Sequence, residues 1–174
     1  MKYKLEEAVT ILSKTPKLLH LLLEGLDEEW LKSNEGPDTW SPFDILGHLI
    51  HGENTDWIPR ARIILSDRKD KTFEPFDRFA QFEISKDKTI LELLDRFEDL
   101  RQANIEKLKS WDLTEEQLRL IGLHPELGEV TLKQLLATWM VHDLTHIRQI
   151  VSVMAKQQTE NVGPWKEYLS ILQN

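Results

Sequence analysis

The chain contains no cysteine, which removes disulfides, thiolate metal ligands and a cysteine nucleophile together. Any metal held here must rest on nitrogen and oxygen donors. The missing thiols leave the compartment open, because their absence suits both sides of a membrane. No apolar run approaches the roughly 20 residues that span a bilayer. The opening MKYKLEEAV lacks the apolar core and cleavage site of a secretion signal, so a cytoplasmic location is the default expectation. There is no basic stripe: the net charge is −8, with the two signs mixed along the chain. That argues against a phosphate-backbone partner. Repeats, low-complexity tracts and linkers are missing too. No stretch alternates β-branched residues with period two, so essentially no sheet is expected.

What is present is 174 residues, 40% hydrophobic and 30% charged, the make-up of one globular domain spanning 1–174. Four long helical patterns predict an all-α chain. The first, about Leu5 to Leu26, is interrupted at Thr15-Pro16, which reads as an N-cap and first-turn proline, and ends near Gly25. The second starts at Ser41-Pro42, with Asp44 in its first turn, and should bend at Pro59. The third covers about Lys88 to Lys109. The fourth follows Thr131 and runs from about Leu132 to Lys156. Short helical turns are expected around Thr114–Leu118 and Pro164–Ile171. The connection 66–87, rich in phenylalanine, is long enough to cross a bundle end and let the second and third helices run parallel. Its aromatics would cap the core.

The informative motif is His142-Asp143-Leu144-Thr145-His146 in the fourth helix. Residues four apart share a helix face, the spacing at which two imidazoles grip one metal ion. Both lie in the apolar seam traced by Leu132, Leu135, Leu136, Trp139, Gln149, Ile150 and Val153. Burying imidazoles costs desolvation unless their nitrogens find partners, and a shared ion would supply one. The rival reading is a pair of core histidines bonded to carboxylates or carbonyls, which for the pair alone is about as good. His48, among Leu46, Leu49 and Ile50 on the second helix, tips the balance by offering a third imidazole across a helix–helix interface. His51 competes with His48 for that role, the other being a neighbour of the site or a surface residue. His20 is a core residue or a pocket wall. His124, in GLHPELGEV, is structural or substrate-facing rather than ligating.

The string also invites comparison with the HExxH zinc-protease motif. Its acid is one methylene shorter, however, and its third ligand would lie upstream. Asp143 either orients an imidazole or faces solvent, and Glu53 is a second carboxylate candidate for orienting a ligand or moving a proton.

Taken in order, TPKLLHLLLEGL, TWSPFDILGHLIHGENTDWIPRARII, TWMVHDLTHIRQI, HPELGEVTL and VGPWKEYL resemble the DinB-like (DinB/YfiT) superfamily of metal-dependent enzymes. The resemblance covers most of the chain. It implies a four-helix bundle with long inter-helix connections and a divalent metal ion, zinc or nickel, on three histidines. Carried over, these are His48, His142 and His146. It also implies frequent homodimers, and members that are thiol-dependent S-transferases, a thiol-dependent isomerase and hydrolases.

Three imidazoles leave coordination positions open, as in catalytic sites. The leading expectation is a thiol-dependent S-transferase acting on small electrophiles, with the sulfur brought by a low-molecular-weight thiol. Arg60, Arg62 and Arg148 are either clamps for a carboxylate on that cosubstrate or, as helical arginines usually are, solvated. The alternatives are a metal-dependent hydrolase using metal-bound hydroxide, which needs Asp143 or Glu53 as base, and a non-enzymatic metal-binding stress-response module. No catalytic residue beyond the ligands is assigned. Trp30, Trp111 and Trp165 are candidates for a dimer surface or for partly buried packing.

Overall fold

The computed structural model describes residues 3–173, so Met1, Lys2 and Asn174 of the expected 1–174 unit lie outside it. The first helical pattern is two helices, α1 (Leu5–Leu12) and α2 (Thr15–Leu23). The restart falls at Thr15-Pro16, but Thr15 is not the cap. It is the first helical residue, and its hydroxyl donates to Asp143 Oδ2 at 2.6 Å. Gly25, at φ +78°, closes α2 in the left-handed conformation that glycine adopts without strain. A short α3 (Glu28–Lys32) follows.

Ser41 caps α4 (Pro42–Thr55) in a reciprocal capping box with Asp44. The interruption expected at Pro59 lies at Asp56, between α4 and α5 (Trp57–Leu65). The cause is the proline ring, which cannot coexist with a helical carbonyl four residues earlier, at Thr55. The connection 66–87 contains α6 (Ala80–Ser85) and leads to α7 (Ile90–Lys109), capped by Thr89 and Glu92. Thr131 caps α8, which runs Leu132–Lys156 as expected. Short 3-10 helices occupy Gln117–Arg119, Gly163–Tyr168 and Ser170–Leu172.

The expectation of essentially no sheet fails. A small antiparallel hairpin, β1 (Ile121–His124) with β2 (Gly128–Thr131), stands before α8, and Thr72 bridges to Leu123. Each strand is too short for alternation to register, and Gly122 is placed by packing: a Cβ there would stand 2.6 Å from the Phe73 ring.

The four rods bury two apolar clusters. One holds Leu12, Ile58, Ile64, Leu108, Leu136 and Trp139; the other holds Leu19, Leu23, Leu46, Leu94, Phe97 and Ile150. Every rod contributes to both, and the order of contribution gives its direction. α4–α5 and α7 pass from the second cluster to the first, so they run in the same sense, while α1–α2 and α8 run in the opposite one. Between the clusters lies a polar layer made from the mid-points of the rods: Thr15, His48, His51, Glu53, Arg101, Asp143 and His146, all buried. Of the connection's aromatics, Phe73 packs into the core, whereas Phe79 and Phe82 are exposed and cap nothing.

Candidate metal centre

Seven residues past its capped start, α4 points His48 across to α8, which presents His142 and His146 from consecutive turns. His142 Nε2 stands 3.0 Å from His48 Nε2 and 3.1 Å from His146 Nε2. The three rings thus bring one nitrogen each to a common point, all within 4.8 Å of one another. Nitrogens sharing one tetrahedral zinc ion stand about 3.3 Å apart, so the trio fits a divalent ion with little adjustment.

Electrostatics agree with that fit. Burial, then the neighbouring His146, push the His48 imidazole down to about 3, with the Gln81 amide opposing. Burial, then His146 and His48, push His142 down to about 2. His146 is lowered by burial against the opposing Gln149 and Asp143. All three rings are therefore neutral near pH 7, the form that ligates. Gln149 Oε1, 2.8 Å from His146 Nδ1, accepts its proton and leaves Nε2 with a free lone pair. Aromatic side chains brace the rings: Trp40 lies 4.9 Å from His48, Phe76 meets its edge at 5.3 Å, and Trp57 stands 5.1 Å from His142.

His51 is buried but separate. Its ring packs on Phe76 at 4.6 Å, and it stands outside the converging group. It is therefore no surface residue, and of the two only His48 joins the converging group. His20 is only partly buried, 3.7 Å from each of Glu24, Asp95 and Glu98 and away from the trio.

The two carboxylates singled out in the sequence are both in the polar layer and both turned from the imidazoles. Arg101 Nη2 donates to Glu53 Oε1 and to Asp143 Oδ1, each at 2.9 Å. Trp139 Nε1 donates to Glu53 Oε1 at 2.9 Å and Asn104 to Glu53 Oε2 at 3.0 Å. Asp143 thus neither faces solvent nor bonds an imidazole: it takes Thr15 and Arg101 instead. Arg101 is 1% exposed. Burial would discharge it, but Glu53 and Asp143 outweigh that and hold it charged. Sequence reasoning missed this arginine, although its place one turn from both Phe97 and Ile105 on α7 put it on the core face.

The trio opens on a cavity of about 370 Å³, lined also by Trp40, Asp56, Arg60, Phe76, Arg78, His124 and Glu126. Such a volume suits a small ligand. Of the arginines considered from sequence, Arg60 reaches this cavity; Arg62 and Arg148 do not line it. His124 has the structural role expected of it and also reaches the cavity. Its Nδ1 accepts from the Glu126 and Leu127 amides, both at 3.2 Å, while its ring lines the cavity.

A family model described as the DinB superfamily matches residues 11–150. Among solved structures, YfiT from Bacillus subtilis superposes with a TM-score of 0.76 at 19% identity, covering 91% of this chain and 90% of that one. It is described as a probable metal-dependent hydrolase with an unusual four-helix bundle topology. TT2238, described as a four-helix bundle protein, gives a TM-score of 0.53 at 21% identity over 86% of this chain and 99% of that one. No curated protein matches the sequence.

Proposed function

This chain belongs to the DinB superfamily, and on that premise we propose a metal-dependent enzyme in which His48, His142 and His146 hold one divalent ion, zinc or nickel. The reaction is transfer of a low-molecular-weight thiol to a small electrophile. The observation that carries this reading is the convergence of three neutral Nε2 atoms on the wall of an open cavity. When bound, the ion lowers the pKa of a thiol or water at an open coordination position and so creates a nucleophile near neutral pH.

The protein's own groups prepare for that. Gln149 fixes the His146 tautomer, and burial keeps all three imidazoles unprotonated. Trp40, Phe76 and Trp57 restrict the rings' motion and the access of bulk water. Glu53 and Asp143, the carboxylates singled out in the sequence for activating water, are committed to Arg101, which favours a thiol over water as nucleophile. Without cysteine in the chain, the sulfur is external.

Hydrolysis is the second reading, and Asp56 supports it. This carboxyl lines the cavity, and burial, partly offset by Arg60, pushes it up to about 6, a range suited to a general base. YfiT is also described as a probable hydrolase. A cobalt-substituted preparation separates the two. Thiols should perturb the cobalt spectrum and support conjugation of monochlorobimane. Silence toward every thiol, with turnover of an activated ester, would leave hydrolysis. The family resemblance further suggests a homodimer, which sedimentation velocity would test. Among the described residues no helix is long and apolar enough to cross a membrane.

A further inference from the structure

We propose that Arg60, Arg78 and His124 form an anion subsite, opposite the three imidazoles, that takes a carboxylate of the small-molecule substrate. The proposal rests on the reading of the trio as a metal-activated transfer centre and adds the class of molecule that centre accepts.

Three observations carry it. Arg60 is buried beside the cavity, and its bonds to protein all leave from one nitrogen: Nη2 meets Asp56 Oδ1 at 2.8 Å and the Glu74 carbonyl at 3.4 Å. Among the described residues Nε and Nη1 have no bonding partner, and neither is sealed from solvent. The guanidinium is held by its Asp56 pair and by the Phe73 ring 5.4 Å from its carbon, so these free donors are fixed rather than floppy. Second, because His124 Nδ1 accepts two backbone amides, its proton sits on Nε2, making that atom a donor. Arg60 and His124 line the same cavity, and burial, then the charge of Arg60, lower the basicity of the ring against the opposing Glu126. Third, Arg78 lines the same cavity from an exposed position and has no bonding partner among the described residues.

A planar carboxylate is the natural occupant for guanidinium donors. Of the two acids on the cavity wall, Asp56 is already paired with Arg60. Glu126 stands at the exposed rim, where it would disfavour a second negative charge. The expected ligand therefore carries a metal-seeking group at one end and a single carboxylate at the other, with Trp40 and Phe76 flanking its apolar middle.

The test is calorimetric titration of zinc-loaded protein with 3-mercaptopropionate and with the uncharged 3-mercaptopropan-1-ol. The acid should bind at least tenfold tighter. Arg78→Gln should cut that preference to within threefold, with zinc content and affinity for the alcohol unchanged. Arg60→Gln should do the same; because it strands buried Asp56, Arg78→Gln is the variant that decides if it misfolds. Equal affinities in the parent protein, or a preference that survives Arg78→Gln, would overturn the subsite. Should neither thiol bind, glutarate decides. Binding that falls tenfold in Arg78→Gln supports the subsite although thiol transfer has failed. No binding, or binding indifferent to Arg78, overturns it.

Discussion

His48 and His51 sit one turn apart on α4, yet only His48 points a nitrogen at His142. The difference is measurable. His48→Ala or His142→Ala should remove the metal from tag-free protein, whereas His51→Ala should retain about one ion per chain by elemental analysis, since three ligands remain. Asp56 offers a second test. Its carboxyl titrates at about 6 in the folded chain against 3.8 ordinarily, so the native state holds the proton more tightly than the unfolded one. The resulting stabilisation is complete below pH 3.8 and is lost as pH rises through 6. Thermal melts should therefore show Asp56→Asn less pH-sensitive than the parent between pH 4 and 6. At this scale the imidazole trio was legible because a four-residue spacing inside an apolar seam has few explanations. Arg101 was not, because a helical arginine is presumed solvated, and the role of Asp143 went unread with it.

Among the elements, the long ones announced themselves. Ser41, Thr89 and Thr131 each stand before a helix with a partner three residues on, and all three form capping boxes. The elements that stayed hidden, α3, α6 and the hairpin, are too short for a period to emerge, and tertiary contacts hold them. α6 shows how. A Cβ on Gly47 of α4 would stand 2.2 Å from Ser85 Oγ and 3.2 Å from the Gln81 carbonyl. Gly47→Ala should therefore cost about 1–3 kcal/mol, the usual penalty of overpacking. Adding Ser85→Ala, which removes the colliding oxygen, should return most of it in chemical denaturation. Failure of the double variant to recover would mean that α6 is not seated on α4 as described.

For the whole molecule, the polar layer between two apolar clusters is the organising feature, and each cluster is complete without a metal ion. Chelation should accordingly leave the far-ultraviolet circular dichroism of the bundle in place and lower the melting temperature only modestly. Cooperative loss of helix would instead make the metal a structural element. Arg101 is a different matter. Arg101→Leu strands Glu53 and Asp143, both 0% exposed at the side chain, and should destabilise the fold by about 3–5 kcal/mol in urea titration. The parallel sense of α4–α5 and α7 was legible from the length of their connection. The layer was not, since it appears only when the four mid-points are set side by side.

That guanidinium has a consequence for how such a chain can change over generations. Replacing Arg101 alone leaves two unmatched carboxylates in a dry interior, whereas exchanging all three ions for well-packed apolar side chains is often neutral or better. Drift that starts at the arginine is thus blocked at its first move even where the destination is sound, whereas one that starts at Glu53 or Asp143 leaves a matched pair behind it.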